Sequence, residues 1–302
     1  MVVDKEVIEA SAKEALAWPE SRKWDTQEKD QRFRACFGAP SEIVANIWNL
    51  IEPTIGEPGA AVKHLLWALV FMKVYSNEEI HCSIVGWPSA RSFRKWSWYF
   101  VKKISDLKDQ VIRLENRFVN DPDPNTAGVK CFMTVDGIDC PVFEPHPFNI
   151  EMYSHKFNGP GLKYEVAVCI KTGFIVWING PFVAGTSDAS ILNNGLSNEI
   201  PEYEVVEVDG GYRGCPKGRL PDQGINSGER KQKSVARGRH EVVNGRLKQF
   251  NVLASHFRHM KPNKERMMER HSWCFNAIAV ITQLKFESGE KTFDVEYNVK
   301  YY

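Results

Sequence analysis

The sequence predicts an α/β protein in which a helical region, residues 1–125, precedes a mixed-sheet domain, residues 126–302. Three observations predict it. Apolar residues recur at helical spacing up to about Leu114, a turn-rich stretch follows, and beyond it apolar residues gather into short β-branched runs.

In the first region Ser41 is placed to cap a helix whose Ile43, Ile47, Leu50 and Ile51 share one face, and Pro53 ends it. After the turn IGEPGA, residues Val62 to Val74 form a helix too apolar for anything but burial. Ser76-Asn77-Glu78-Glu79 reads as a capping box with Ser76 as N-cap. The short helix it opens ends at Gly86-Trp87-Pro88. A last helix starts near Ser89, with Phe93, Trp96, Phe100 and Ile104 along one side. Short helix, break and second helix have the outline of a helix-turn-helix, and Arg91, Arg94 and Lys95 are its candidate DNA contacts. The competing reading is a packing domain whose core takes Trp87, Trp96, Trp98 and Tyr99.

Asn120-Asp121-Pro122-Asp123-Pro124-Asn125 is the clearest linker. Val129–Val135 then reads as a first strand. Tyr164–Ile170 and Phe174–Ile178 read as a hairpin about Lys171-Thr172-Gly173, and Val205–Val208 as a fourth strand. Helical segments return at Ser187–Leu196, Val235–Leu253 and Asn263–Phe286.

Composition narrows the function classes. No apolar run approaches the ~20 residues that cross a bilayer, and the acidic N-terminus lacks an apolar signal core, so a cytosolic or nuclear protein is expected. Seven scattered cysteines with no CxxC pair suggest reduced thiols rather than disulfides or structural zinc. A thiol mechanism from Cys140 or Cys215 lacks an identifiable histidine and orienting acid. The net charge of +1 gives no global attraction to nucleic acid. Local clustering does occur. From Arg213 to Lys248 ten basic residues, among them Arg237, Arg239 and Arg246, face only three acids. The cluster is either a solvated surface or a phosphate-contacting one.

Its position bears on that choice, because it lies between two of three candidate catalytic acids. Asp136 ends the first strand before Gly137, and Asp209 ends the fourth before Gly210-Gly211. Glycines there would let a substrate backbone approach. Glu241 lies in a helix whose Val242, Leu247 and Phe250 can face the core. Three such acids can hold two magnesium or manganese ions ~4 Å apart for phosphodiester cleavage. Each acid alone has a plainer reading as a turn residue or a solvated helix face. His240, about 100° around the helix from Glu241, reads as a packing residue.

The second half resembles the DDE-superfamily endonucleases of PIF/Harbinger-like transposases, particularly those of algae, diatoms and oomycetes. The resemblance is carried by TVDGID from Thr134, YSHKFNGPGLKYE from Tyr153, TGFIVWINGP from Thr172, GTSD ending at Asp188 and VDGGYRG from Val208. RGRHEVVNGRLKQF from Arg237 and AIAVITQL from Ala277 complete it, and HLLWALVFMKVYS and SFRKWSWYFVKKI are similar to the family's N-terminal part. The resemblance implies an RNase H-like mixed-sheet catalytic core, with Asp136, Asp209 and Glu241 as the catalytic and metal-binding acids. It implies a nuclear enzyme that cuts DNA at transposon ends and joins 3′ ends to a target, with a Myb-like DNA-binding partner protein and room for a homo-oligomer. Asp209-Gly210-Gly211 departs slightly from the family's Asp-Asp-Gly or Ala-Asp-Gly, keeping the acid. Asp188 matches a family position and also reads as a helix cap. Lys156 and Lys163 fall in matching segments, as phosphate contacts or as plain surface.

Overall fold

A computed structural model describes residues 2–16, 26–118, 128–144, 146–147, 149–223, 226–259, 263–290 and 292–299. The expected linker, Asn120 to Asn125, lies outside them. The chain forms two compact units. The first takes Met1–Val111, Leu247–Phe257 and Arg270–Ser288; the second takes Ile112–Arg246, Arg258–Glu269 and Gly289–Tyr302. A division at 125/126 therefore misses two C-terminal stretches that belong with the N-terminal helices.

In the first unit, α1 (Lys5–Ala15), α2 (Thr26–Phe37), α3 (Ser41–Ile51) and α4 (Val62–Val74) lead to α5 (Glu78–Ile84), α6 (Ala90–Ser105) and α7 (Lys108–Val111). Helix α4 is the centre. Leu65 to Met72 are all buried, because α1, α2 and α6 pack around it. Two caps shift by one residue from the sequence reading. Pro40 precedes α3 without a side-chain cap, and Ser41, the first helical residue, donates to Glu9 Oε1 at 3.0 Å. Asn77, not Ser76, caps α5 by accepting from the Ile80 amide, while the Ser76 amide donates to His81 Nε2 at 2.9 Å. Ser89 caps α6 as its position suggests. Trp87 is not core. It stands 75% exposed in the α5–α6 connection, with a left-handed φ of 59°.

The second unit carries a mixed sheet, with six strands among the described residues. They are β1 (Lys130–Pro141), β2 (Tyr153–Ser154), β3 (Gly159–Cys169), β4 (Ile175–Val183), β5 (Glu204–Glu207) and β6 (Gly218–Arg219). The order is β2-β3-β1-β5-β6, with β4 also on β3; β1–β5 and β5–β6 are parallel and the rest antiparallel. Strand β1 runs six residues past its expected end, because Asp136 to Pro141 keep pairing with β3. The hairpin turn falls where expected, with Gly173 at a φ of 78°.

One face of the sheet buries Met133, Val135, Ala167, Cys169, Val206 and Val208. Leu192 of α8 (Asp188–Asn194) and Leu196 of α9 (Leu196–Glu199) join that core. The single helix expected over Ser187–Leu196 breaks at Gly195, where a side chain would meet Asn179 Nδ2 at 2.5 Å. The opposite face of the sheet meets α10 (Ser227–Leu247). Glu207 pairs with Lys233 at 3.3 Å, and Thr134 Oγ1 lies 2.7 Å from His240 Nδ1. Short α11 (Asn251–Ala254) and long α12 (Lys264–Glu287) are the last helices among the described residues. No helix among the described residues is long and apolar enough to cross a membrane.

Candidate active site

Strand register brings the first two acids level. Thr134 is the last β1 residue paired with β5, opposite Glu207. Asp136 and Asp209 each lie two residues further along, so they emerge side by side where the parallel pair has ended. Side chains alternate along a strand, so residues two apart share a face. Thr134 and Glu207 face α10; Asp136 does so too, and Asn244 of α10 donates to its Oδ2 at 3.1 Å.

Helix periodicity supplies the third acid. Arg237, Glu241 and Asn244 are four and three residues apart, hence neighbours on one stripe. Asp136, Asp209, Glu241, Arg237, His240, Thr134 and Val135 line a single cleft. The helix phase differs by one residue from the sequence reading. Val242 is 40% exposed, and Val243 is the buried residue, stacked with Arg239 and Leu247 at i±4. That phase leaves Glu241 exposed at the cleft.

Burial raises the Asp136 carboxyl to about 6, with Asp209 and Asp188 adding to the rise and Lys156 opposing it. Its Oδ1 accepts the Gly137 amide at 2.7 Å, and Asp209 Oδ1 accepts the Gly211 amide at 2.8 Å. His240 is buried and pushed down to about 3, chiefly by desolvation, so it is a neutral packing partner of Thr134 near pH 7.

Asp188 lies beside these acids for a reason the sequence concealed. A Cβ on Gly137 would stand 2.8 Å from Asp188 Oδ1, and one on Gly211 would stand 2.9 Å from Asp188 Oδ2. The two glycines make room for a carboxylate rather than for a substrate backbone. Ser187, not Asp188, caps α8, accepting from the Ser190 amide. Asp188 instead pairs with Lys163 at 2.9 Å. Behind this pair lies Glu165, buried and raised to about 7 by desolvation, with Trp177 Nε1 donating to it at 3.3 Å.

The basic candidates divide. Arg213 is exposed and Arg237 lines the cleft. Arg246 donates to the Glu290 carbonyl at 2.7 Å. Lys156 donates to the Gly137 carbonyl at 2.6 Å, next to Asp136. Two expectations are corrected. Lys163 is 7% exposed and holds Asp188 and the Thr186 carbonyl. Arg239 is 2% exposed and donates to the carbonyls of Cys169 and Ile170. Neither presents its charge to solvent. Lys248, Arg91, Arg94 and Lys95 belong to the first unit; there Arg94 pairs with Glu78 and Lys95 with Glu57, both at 2.6 Å.

Carboxylate oxygens suit a hard divalent cation. The cleft gathers all three acids, yet among the described residues no group of three His, Cys, Asp or Glu side chains stands at metal-ligand separation. Sequence reasoning missed Asn244, which lies three residues after Glu241 and follows from the same periodicity. Compared with protein-family models, with curated proteins and with solved structures, the chain matches none.

Proposed function

We propose that the chain is a metal-dependent DNA endonuclease and strand transferase of the transposase type, built on an RNase H-like core. The observation that carries this reading is the Thr134–Glu207 register, which sets Asp136 and Asp209 each two residues past the last pair of the parallel strands while Glu241 lines the same cleft from α10. Antiparallel strands, a crossover and a parallel neighbour agree with the core that the PIF/Harbinger resemblance implies. The acids also fall on that family's three positions.

Bound at this cleft, two magnesium or manganese ions would supply Lewis acidity for phosphodiester hydrolysis and for joining a 3′ end to target DNA. Asp136, Asp209 and Glu241 would hold them. Asn244 and the Gly137 amide orient the Asp136 carboxylate, and the Gly211 amide orients Asp209. Arg237, at the cleft wall, would meet phosphate charge. DNA ends and target are the substrate in this reading, with a nuclear setting, a Myb-like partner protein and self-association as its corollaries.

A second reading is a DNA-binding or scaffold protein that keeps the fold without cutting; among the described residues no three His, Cys, Asp or Glu side chains form a group that could hold a metal ion. One experiment separates the two. Asp136→Asn and Asp209→Asn should each abolish magnesium-dependent nicking of duplex DNA and leave the thermal melt of the protein unchanged. Full nicking by the double variant would end the catalytic reading, and absence of nicking by the unaltered protein would favour the scaffold.

A further inference from the structure

Three residues past Asp136, Asp139 is buried on β1 at 3% exposure. A buried carboxylate needs a donor, and Ser154 Oγ donates to its Oδ2 at 2.5 Å. The same Oγ accepts the backbone amide of Lys156 at 3.2 Å. Ser154 therefore ties the core to the tight reversal that follows it, since Ser154 pairs with Gly159 across β2 and β3 and Asn158 takes a φ of 55°. Lys156 lies inside that reversal. Its side chain is directed by the tie, and Nζ donates to the Gly137 carbonyl at 2.6 Å. That carbonyl belongs to the residue after the first acid. The lysine residue is otherwise exposed.

An ammonium carries three donors, and one carbonyl uses one of them. A neutral carbonyl is a weak partner for a full charge, whereas a phosphodiester oxygen offers a charge-assisted bond. The turn thus stations a cation beside the acid cluster, where its charge offsets that of Asp136 and its remaining donors can meet an anion entering from solvent. Lys163, the other lysine of this segment, is committed to Asp188.

We propose that Lys156 is the lysine that grips the nucleic-acid phosphodiester at this site, and that Asp139 and Ser154 are positioning residues that hold it beside Asp136. This rests on the reading of Asp136 and Asp209 as the phosphodiester-cleaving acids. Lysine contacts a phosphate as a point charge, so the ligand class is the backbone of DNA of any sequence.

The test uses the full chain and a short DNA duplex, with two readouts. Affinity measured against salt concentration should give a log–log slope that falls by about 1 in Lys156→Met and is kept in Lys156→Arg. Nicking at saturating DNA in magnesium should fall about 100-fold in Lys156→Met, the scale of losing one group that stabilises transition-state charge. Lys156→Arg should recover most of it. Ser154→Ala should keep the slope and nick about ten-fold more slowly, because the cation remains but its placement is lost. Asp139→Asn, which retains an acceptor for Ser154 Oγ, should keep both the slope and most of the nicking. An unchanged salt slope in a folded Lys156→Met protein would overturn the assignment. If the unaltered chain does not nick at all, the endonuclease reading falls, and the slope still decides whether Lys156 touches phosphate.

Discussion

Gly137 and Gly211 illustrate how one side chain constrains two others. Each sits within two residues of a candidate acid, and Asp188 occupies the space a Cβ would take at both. Gly137→Ala should push the Asp188 oxygen off Lys163, at a cost of about 1–3 kcal/mol in urea unfolding, with slower nicking. A stability equal to that of the unaltered chain would mean Asp188 is not pinned there. The sequence displayed Asp-Gly and Asp-Gly-Gly plainly but suggested room for a substrate backbone, because the residue that needs the glycines lies far away along the chain. His271 gives a second prediction at this scale. Fully buried against Phe257, it is pushed down to about 3 by desolvation. The folded state then binds fewer protons than the unfolded chain. Its contribution is full above the unfolded value near 6.5 and is lost as pH falls towards 3. Stability should drop by roughly 1 kcal/mol per pH unit below pH 6 from this group. His271→Leu should flatten that part of the profile, and an unaltered slope would contradict it.

Helix α10 joins structure to chemistry within the second unit. One stripe presents Arg237, Glu241 and Asn244 to the cleft, while Arg239, Val243 and Leu247 form a buried one. The helical period was legible from the sequence, but its phase was not. Val242 and Val243 are equally apolar, and only the partner surface selects between them. The same ambiguity made Arg239 read as part of a DNA-facing cluster. Its guanidinium instead binds carbonyls at the end of β3, where removal would leave them unsatisfied. Arg239→Met is expected to lower stability by roughly 2–4 kcal/mol without changing the salt slope of DNA binding. Arg237→Ala is expected to do the reverse, lowering the slope by about 1 with little effect on the melt. Exchange of these two outcomes would show that the stripes are misassigned. Strand ends were legible only to the extent that local texture sets them. Pairing with β3 extended β1 past Asp136, and no run of residues in β1 announces that pairing.

At the scale of the molecule, the α/β class and the order of helices and strands followed from periodicity, whereas the membership of the two units did not. Periodicity says that a segment such as Ala277–Leu284 is buried, not which helices bury it. The first unit takes α11 and most of α12 into its core, with Trp273 against Trp98 at 6.3 Å and Phe257 against Tyr75 at 6.1 Å. A fragment of residues 1–125 should therefore lack cooperative thermal unfolding and bind hydrophobic dyes, for want of those partners. A sharp melt from that fragment alone would contradict the unit as described.

The proposed catalysis requires Asp136, Asp209 and Glu241 to draw together around divalent metal. The most direct measurement is anomalous diffraction from crystals of the protein soaked in manganese with a short DNA duplex. Manganese density touching Asp136, Asp209 and Glu241 is the predicted result. Density held elsewhere, or an Asp136–Asp209 pair left empty while the duplex is bound, would contradict it.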